Sequence, residues 1–161
     1  MKSQIFDNQI HRVSVCTGSL EPNEIFIENP NFSNWIYIIS GSCIEKIDNQ
    51  SINCTEGNIY DLSSYLKKSI THIAGDAGMS WFCINPYDNA KSNVQLVKIE
   101  DSNQEQNLNI NTDSYIFTCI EGITINGIAT KKDNIIKVSA GKVLNFAGQI
   151  GGTCIIYTLI N

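Results

Sequence analysis

Apolar residues in this chain come only in short runs, and turn-forming residues close each run. HRVSVC, NEIFIE, NWIYIIS, MSWFCI, VQLVKI, YIFTCI and TCIIYTLI are rich in Ile, Val, Tyr, Phe and Trp, the residue types that fit a pleated, half-buried surface. Between them lie GSLEPN, NPNFSN, DNQS, TEGN, DNAKSN, NG, KKDN and GQIGG, stretches of Gly, Pro, Asn, Asp and Ser that favour turns. Apolar spacing of the helical kind is sustained nowhere, and SSYLKK (63–68) is the one candidate for a helical turn or two. Many short strands at regular spacing predict an all-β sandwich or barrel.

The runs also repeat. WIYIISG (35–41) aligns with IFTCIEG (116–122), each ending in glycine, and IAGDAG (73–78) aligns with FAGQIG (146–151). A middle block, aligned with one gap, matches Ile52 to Ile136, Cys54 to Val138, Gly57 to Gly141 and Leu62 to Phe146. Three blocks in one order predict a duplicated unit. The first copy carries about eleven extra residues near 63–73, His72 among them, and the second has an Asn126-Gly127 pair suited to a tight hairpin. The turn-rich stretch 85–93 divides the copies, giving repeats over 1–90 and 91–161.

Composition removes several function classes. A net charge of −5 with Arg12 as the sole arginine leaves no basic stripe to displace counterions from phosphate, so nucleic acid is not an expected partner. The N-terminal residues lack a signal-type apolar core, and no apolar stretch approaches membrane-spanning length. A cytoplasmic protein is therefore expected, without a membrane partner. Heavy use of Ile, Asn and Lys matches AT-rich coding, as in a marine bacterium or its phages, and a phage-encoded chain could belong to a virion. The six cysteines, Cys16, Cys43, Cys54, Cys83, Cys119 and Cys154, lack metal-knuckle spacing and lie in or beside apolar runs. They are expected to be buried and reduced.

The order of strand, Gly, hairpin, Gly and closing strand resembles the cupin superfamily, most clearly across SLEPNEIFIENPNFSNWIYIISGSCIEKIDNQSINCTEGNIYDL (19–62). The resemblance implies a jelly-roll β-barrel, here two small barrels in tandem, as in bicupins, or one duplicated barrel. It also implies self-association, since cupin-like proteins often dimerise through barrel edges. The cupin metal site uses histidines and a glutamate, and those histidines are missing. The motif spacing puts Glu24 and Phe26 at two histidine positions and Lys68 near the third. Only His11 and His72 exist in the whole chain. No metal and no other cofactor is expected.

Two candidate sites remain. Trp35, Tyr37, Tyr60, Tyr65 and Trp81 all lie in the first copy, and Trp35 and Tyr37 share one face of a strand. They are candidates to line a pocket for a small, sugar-like ligand. His72 could act as an acid–base group with Tyr60 or Tyr65, helped by Asp61 or Glu45. A Cys–His nucleophile using Cys83 or Cys54 has no feature to lower the thiol pKa. Alternation in NEIFIE puts Glu24, Phe26 and Glu28 on one face, read as an exposed polar face over an apolar face formed by Ile25 and Ile27. The expected function is a non-enzymatic binding or structural protein, a homo-oligomer. The alternative is a metal-independent isomerase or epimerase acting on a small molecule in the first-copy cavity.

Overall fold

The structure is a computed structural model, and it describes residues 2–8, 13–28, 35–65, 68–86, 92–132 and 134–160. His11 and Arg12 lie outside them. The chain divides into two compact units, Met1–Asn89 and Ala90–Asn161. Every regular element among the described residues is a strand, apart from one 3-10 turn at Ser63–Tyr65 within the SSYLKK stretch.

The first unit contains β1 (Lys2–Asn8), β2 (Val13–Leu20), β3 (Ile25–Glu28), β4 (Trp35–Ile47), β5 (Gln50–Thr55), β6 (Ile59–Asp61) and β7 (Ile70–Pro86). Two long strands organise it. The first half of β4 pairs with β6 and with the second half of β7, whose other edge holds β2 and then β1. The second half of β4 pairs with β5 and with the first half of β7, whose other edge holds β3. Register shifts between Ile38 and Cys43 mark where β4 changes course. Gly41, at φ +76, is required there, because a Cβ on it would run into the carbonyl oxygen of Gly78. The interior is packed with Leu20, Ile36, Ile38, Ile47, Leu62, Ile70, Met79 and Trp81 among others.

The second unit contains β8 (Ser92–Lys98), β9 (Gln106–Ile110), β10 (Ser114–Ile120), β11 (Ile123–Ile125), β12 (Ile128–Ala129), β13 (Ile135–Val138), β14 (Lys142–Gly148) and β15 (Thr153–Leu159). They form two four-stranded sheets, β13-β10-β15-β8 and β12-β11-β14-β9. Asn126 and Gly127 form the two-residue loop between the Ile125↔Ile128 pair, with φ +52 and +77. Both central residues of that hairpin turn therefore have the positive φ that an Asn-Gly pair accommodates. Ile99, Ile110, Ile116, Ile123, Phe146, Cys154 and Ile156 are central to a separate apolar core.

Three expectations require correction. Cys16 and Cys83 are not free thiols: they stand opposite one another in the β2–β7 register and form a disulfide, with Cα atoms 5.2 Å apart. Strand pairing brought together two residues that are 67 apart in sequence. The other four cysteines are free and buried. The NEIFIE alternation has the expected phase but the opposite sense, since Ile25 and Ile27 are 61% and 64% exposed and Phe26 and Glu28 turn inward. Finally, the middle aligned block does not follow the strand order. Ile52 and Cys54 lie on β5, beside the second half of β4, whereas Ile136 and Val138 lie on β13, beside β10. By pairing, β13 takes the place of β6 and β12 the place of β5.

Candidate functional site

Side chains alternate along a strand, so inward residues of paired strands line up in rows. In the first unit, β3, the first half of β7 and the second half of β4 set Phe26, His72 and Glu45 in one such row. Glu28 is two residues on from Phe26 and shares its face. His72 Nε2 lies 2.9 Å from Glu28 Oε2, and His72 Nδ1 lies 2.6 Å from Glu45 Oε2. The imidazole stacks on Phe26, with ring centroids 5.6 Å apart. His72 is 4% exposed and Glu45 is completely buried.

Burial pulls the His72 pKa down, but the contacts and charges of Glu28 and Glu45 outweigh it and raise it from 6.5 to about 9. The ring is therefore an imidazolium at neutral pH, hydrogen-bonded to Glu28 through Nε2 and in ion-pair contact with Glu45 through Nδ1. It carries no lone pair with which to accept a proton. A buried ion cluster of this kind ties together the strands that supply it, because each charge is costly to leave alone. Around Glu45 the satisfaction is incomplete. Its Oε1 accepts from the Cys43 thiol at 3.0 Å, whereas Oε2, for all its closeness to His72, lacks an aligned hydrogen bond.

The tyrosines proposed as acid–base partners are engaged elsewhere. The Tyr60 hydroxyl accepts the backbone N–H of Thr55 at 2.9 Å, and the Tyr65 hydroxyl donates to Gln50 Oε1 at 3.0 Å. Asp61 accepts the N–H of Ser63 at 2.8 Å and so caps the 3-10 turn. Of the four helpers named from sequence, Glu45 is the one that reaches His72. Glu28, which the alternation alone assigns to the solvent face, is the second partner. Its alternation with Phe26 was visible, but which face the barrel covers was not.

The five aromatic candidates split between two faces. Trp81 belongs to the interior core, and Tyr60 and Tyr65 pack against it. Ile36 and Ile38 also face that core, so Trp35 and Tyr37, alternating with them on β4, point to the opposite face. A single pocket lined by all five does not form. Trp81 instead lies over Gly18, its register partner, where a Cβ would overlap the indole. Nucleophilic cysteine is likewise unsupported. Cys83 is in the disulfide, the hydrogen bond with Cys54 and burial both push the Cys43 thiol up, and burial pushes Cys154 up to about 12.

The positions where the cupin pattern places histidines do not suit a metal. Glu24 directs Oε2 back to the N–H of Glu21 at 3.0 Å. Phe26 has no donor atom, and Lys68 pairs with Asp48 at 2.8 Å on the exposed surface.

One seven-stranded sheet folded along β4 and β7 in the first unit, and two four-stranded sheets in the second, each around an apolar interior, give a cupin-like jelly-roll β-barrel fold. Solved structures agree. AerE from Microcystis aeruginosa matches with a TM-score of 0.65 at 12% identity, over 99% of this chain and 92% of that one. HutD from Pseudomonas fluorescens SBW25 matches with a TM-score of 0.64 at 12% identity, over 96% and 84%. A cupin 2 conserved barrel domain protein from Leptotrichia buccalis matches with a TM-score of 0.55 at 12% identity, over 99% and 88%. Likeness at these identities establishes the fold and leaves the activity open. No protein-family model matches the chain, and no curated protein matches it in sequence. Among the described residues, no helix is long and apolar enough to cross a membrane.

Proposed function

We propose that this is a non-enzymatic cupin-type protein with a binding or structural role. The observation that carries this reading is His72, the sole histidine among the described residues. It is sealed from solvent, with both ring nitrogens turned to carboxylates. A general base must reach its substrate and hold a free lone pair near the working pH. His72 meets neither condition, and the Tyr60 hydroxyl that would assist it lies against Thr55 of β5.

Self-association is the role we favour within that reading. Ile25, Ile73 and Ile44 stand in register across β3, β7 and β4, with Ile27 beside them. Ile25, Ile27 and Ile44 are exposed, and a second copy of the chain would cover such a row. The duplication read from the sequence draws support from the two units, which place their strands in the same order around each layer.

The test is turnover. Small hydroxy acids and sugar-like molecules incubated with the protein and followed by proton NMR are expected to remain unchanged. Conversion of any of them that disappears in His72→Asn would overturn the proposal in favour of the isomerase or epimerase alternative. Sedimentation tests self-association separately: a dimer that becomes a monomer in Ile25→Glu with Ile27→Glu supports it, and a monomeric wild type opposes it.

A further inference from the structure

One cluster in the first unit is not explained by packing or by the role of His72. Cys43 and Cys54 stand opposite each other across β4 and β5, and Glu45, two residues beyond Cys43, shares their inward face. One donor atom from each of Cys43, Glu45 and Cys54 lies within 4.8 Å of the others, and all three residues are buried. The Cys43 thiol already touches Glu45 Oε1 at 3.0 Å. Glu45 Oε2 is buried and lies 2.6 Å from His72 Nδ1 without an aligned hydrogen bond, so the carboxylate is anchored on its far side while Oε1 faces the thiols.

We propose that Cys43 Sγ, Cys54 Sγ and a Glu45 carboxylate oxygen form a binding site for a thiophilic divalent cation of the zinc class. Two sulfurs and an oxygen suit a borderline-soft ion, whereas magnesium or calcium would require a shell of oxygens. In a tetrahedral site with zinc-like bond lengths, neighbouring donors are separated by about 3.5–3.8 Å. The donors are thus close enough to converge after side-chain rotation, with little movement of the strands. His72, at 2.6 Å from Glu45 Oε2, is the positioning residue: it holds the carboxylate that reaches the ion, as the partners of metal ligands commonly do. Glu28 holds His72 from its other side.

The exchange balances. The divalent ion enters, two thiol protons leave to solvent, and two metal–thiolate bonds form. The two positive charges that enter with the ion are matched by the two protons released, so the net charge of the site is unchanged. These positions differ from those where the cupin pattern places its histidines, which fall at Glu24, Phe26 and Lys68. The site is also independent of the non-enzymatic reading, since an ion held in this buried position can serve structure alone.

The competing fate of two facing cysteines is a disulfide, as Cys16 and Cys83 show in the same sheet. Titration of the purified full chain with Co2+ distinguishes the two. We expect one tetrahedral cobalt per chain, seen as a thiolate-to-cobalt charge-transfer band, and its displacement by Zn2+. Cys43→Ser and Cys54→Ser should each abolish the band, and a Cys119→Ala with Cys154→Ala control should keep it. His72→Gln should weaken binding by about 10–100-fold. Wild-type protein that gives no band, a band retained in both serine variants, or a Cys43–Cys54 disulfide found by peptide mapping would overturn the site. Because the first readout uses the wild type, misfolding of a variant cannot conceal failure.

Discussion

The two units place equivalent strands around different interiors. In the first, β7 runs between β3 and β4 and contributes His72 to a row with Phe26 and Glu45. In the second, β14 runs between β9 and β11, pairing Leu144 with Leu108 and Phe146 with Ile125. The first interior thus adds an imidazolium and two carboxylates to its thiols, whereas the second core has Cys154 among Leu, Phe and Ile and no charged side chain among the described residues. Strand order does not require the charges, since the second unit forms the same arrangement without them. What the barrel needs is alternation and filled volume, and the chemistry of the fill is free to differ. Among the described residues, buried charges are found in the first unit alone.

Making the first interior resemble the second is the strongest way to break the contrast. His72→Leu leaves Glu28 and Glu45 without their shared counter-charge and should cost about 3–5 kcal/mol in urea unfolding. Adding Glu28→Leu and Glu45→Leu removes the orphaned charges, and stability should return to the wild-type level or above it. A triple variant weaker than His72→Leu alone would show that the charges are needed by the fold itself.

The disulfide is the next difference, since the described part of the second unit contains none. Cys16→Ser with Cys83→Ser should lower stability by about 2–5 kcal/mol. The loss should be concentrated in amide-exchange protection of β2 and β7, leaving β10 and β15 unchanged. The titration of His72 separates the units more gently. Its folded pKa of about 9 lies above its ordinary value of 6.5, so the histidine adds stability that is complete below pH 6.5. That contribution fades as pH rises through 9 and totals about 3 kcal/mol. Urea midpoints measured from pH 6 to 10 should fall over this window and level out in His72→Gln. The smallest effect belongs to the second unit's own hairpin. Gly127→Ala meets no neighbouring atom but keeps a positive φ, and should cost about 1 kcal/mol. Gly41→Ala, which also drives a Cβ into the Gly78 carbonyl, should cost more.

Local signals were legible, and long-range ones were not. The Asn126-Gly127 turn, the 3-10 turn within SSYLKK and the paired glycines Gly41 and Gly122 each announce themselves within a few residues, because dihedral demands are local. The NEIFIE strand shows the limit. Period-two alternation sorted Glu24, Phe26 and Glu28 from Ile25 and Ile27, but two faces look alike until something covers one of them. Glu28 joins the site only because β3 turns its Phe26 and Glu28 face inward. The middle repeat block failed for a related reason: β5 and β13 have similar apolar patterns, and pairing alone tells them apart.

By itself, then, the sequence determined that this chain would be short antiparallel strands closed by turns, with a cupin-like order of glycines and hairpins and too few histidines for the usual cupin metal site. Those properties follow from backbone dihedrals, alternation and composition, all of which act over a few residues or none. The tertiary structure decided which face turned inward, that Cys16 would meet Cys83, and that His72 would lie between Glu28 and Glu45 beside two facing thiols. Each of these depends on register between strands distant in the chain, where a one-residue slip reverses every side chain. Burial then turns that geometry into chemistry, by making a neighbouring charge or thiol matter far more than it would in water.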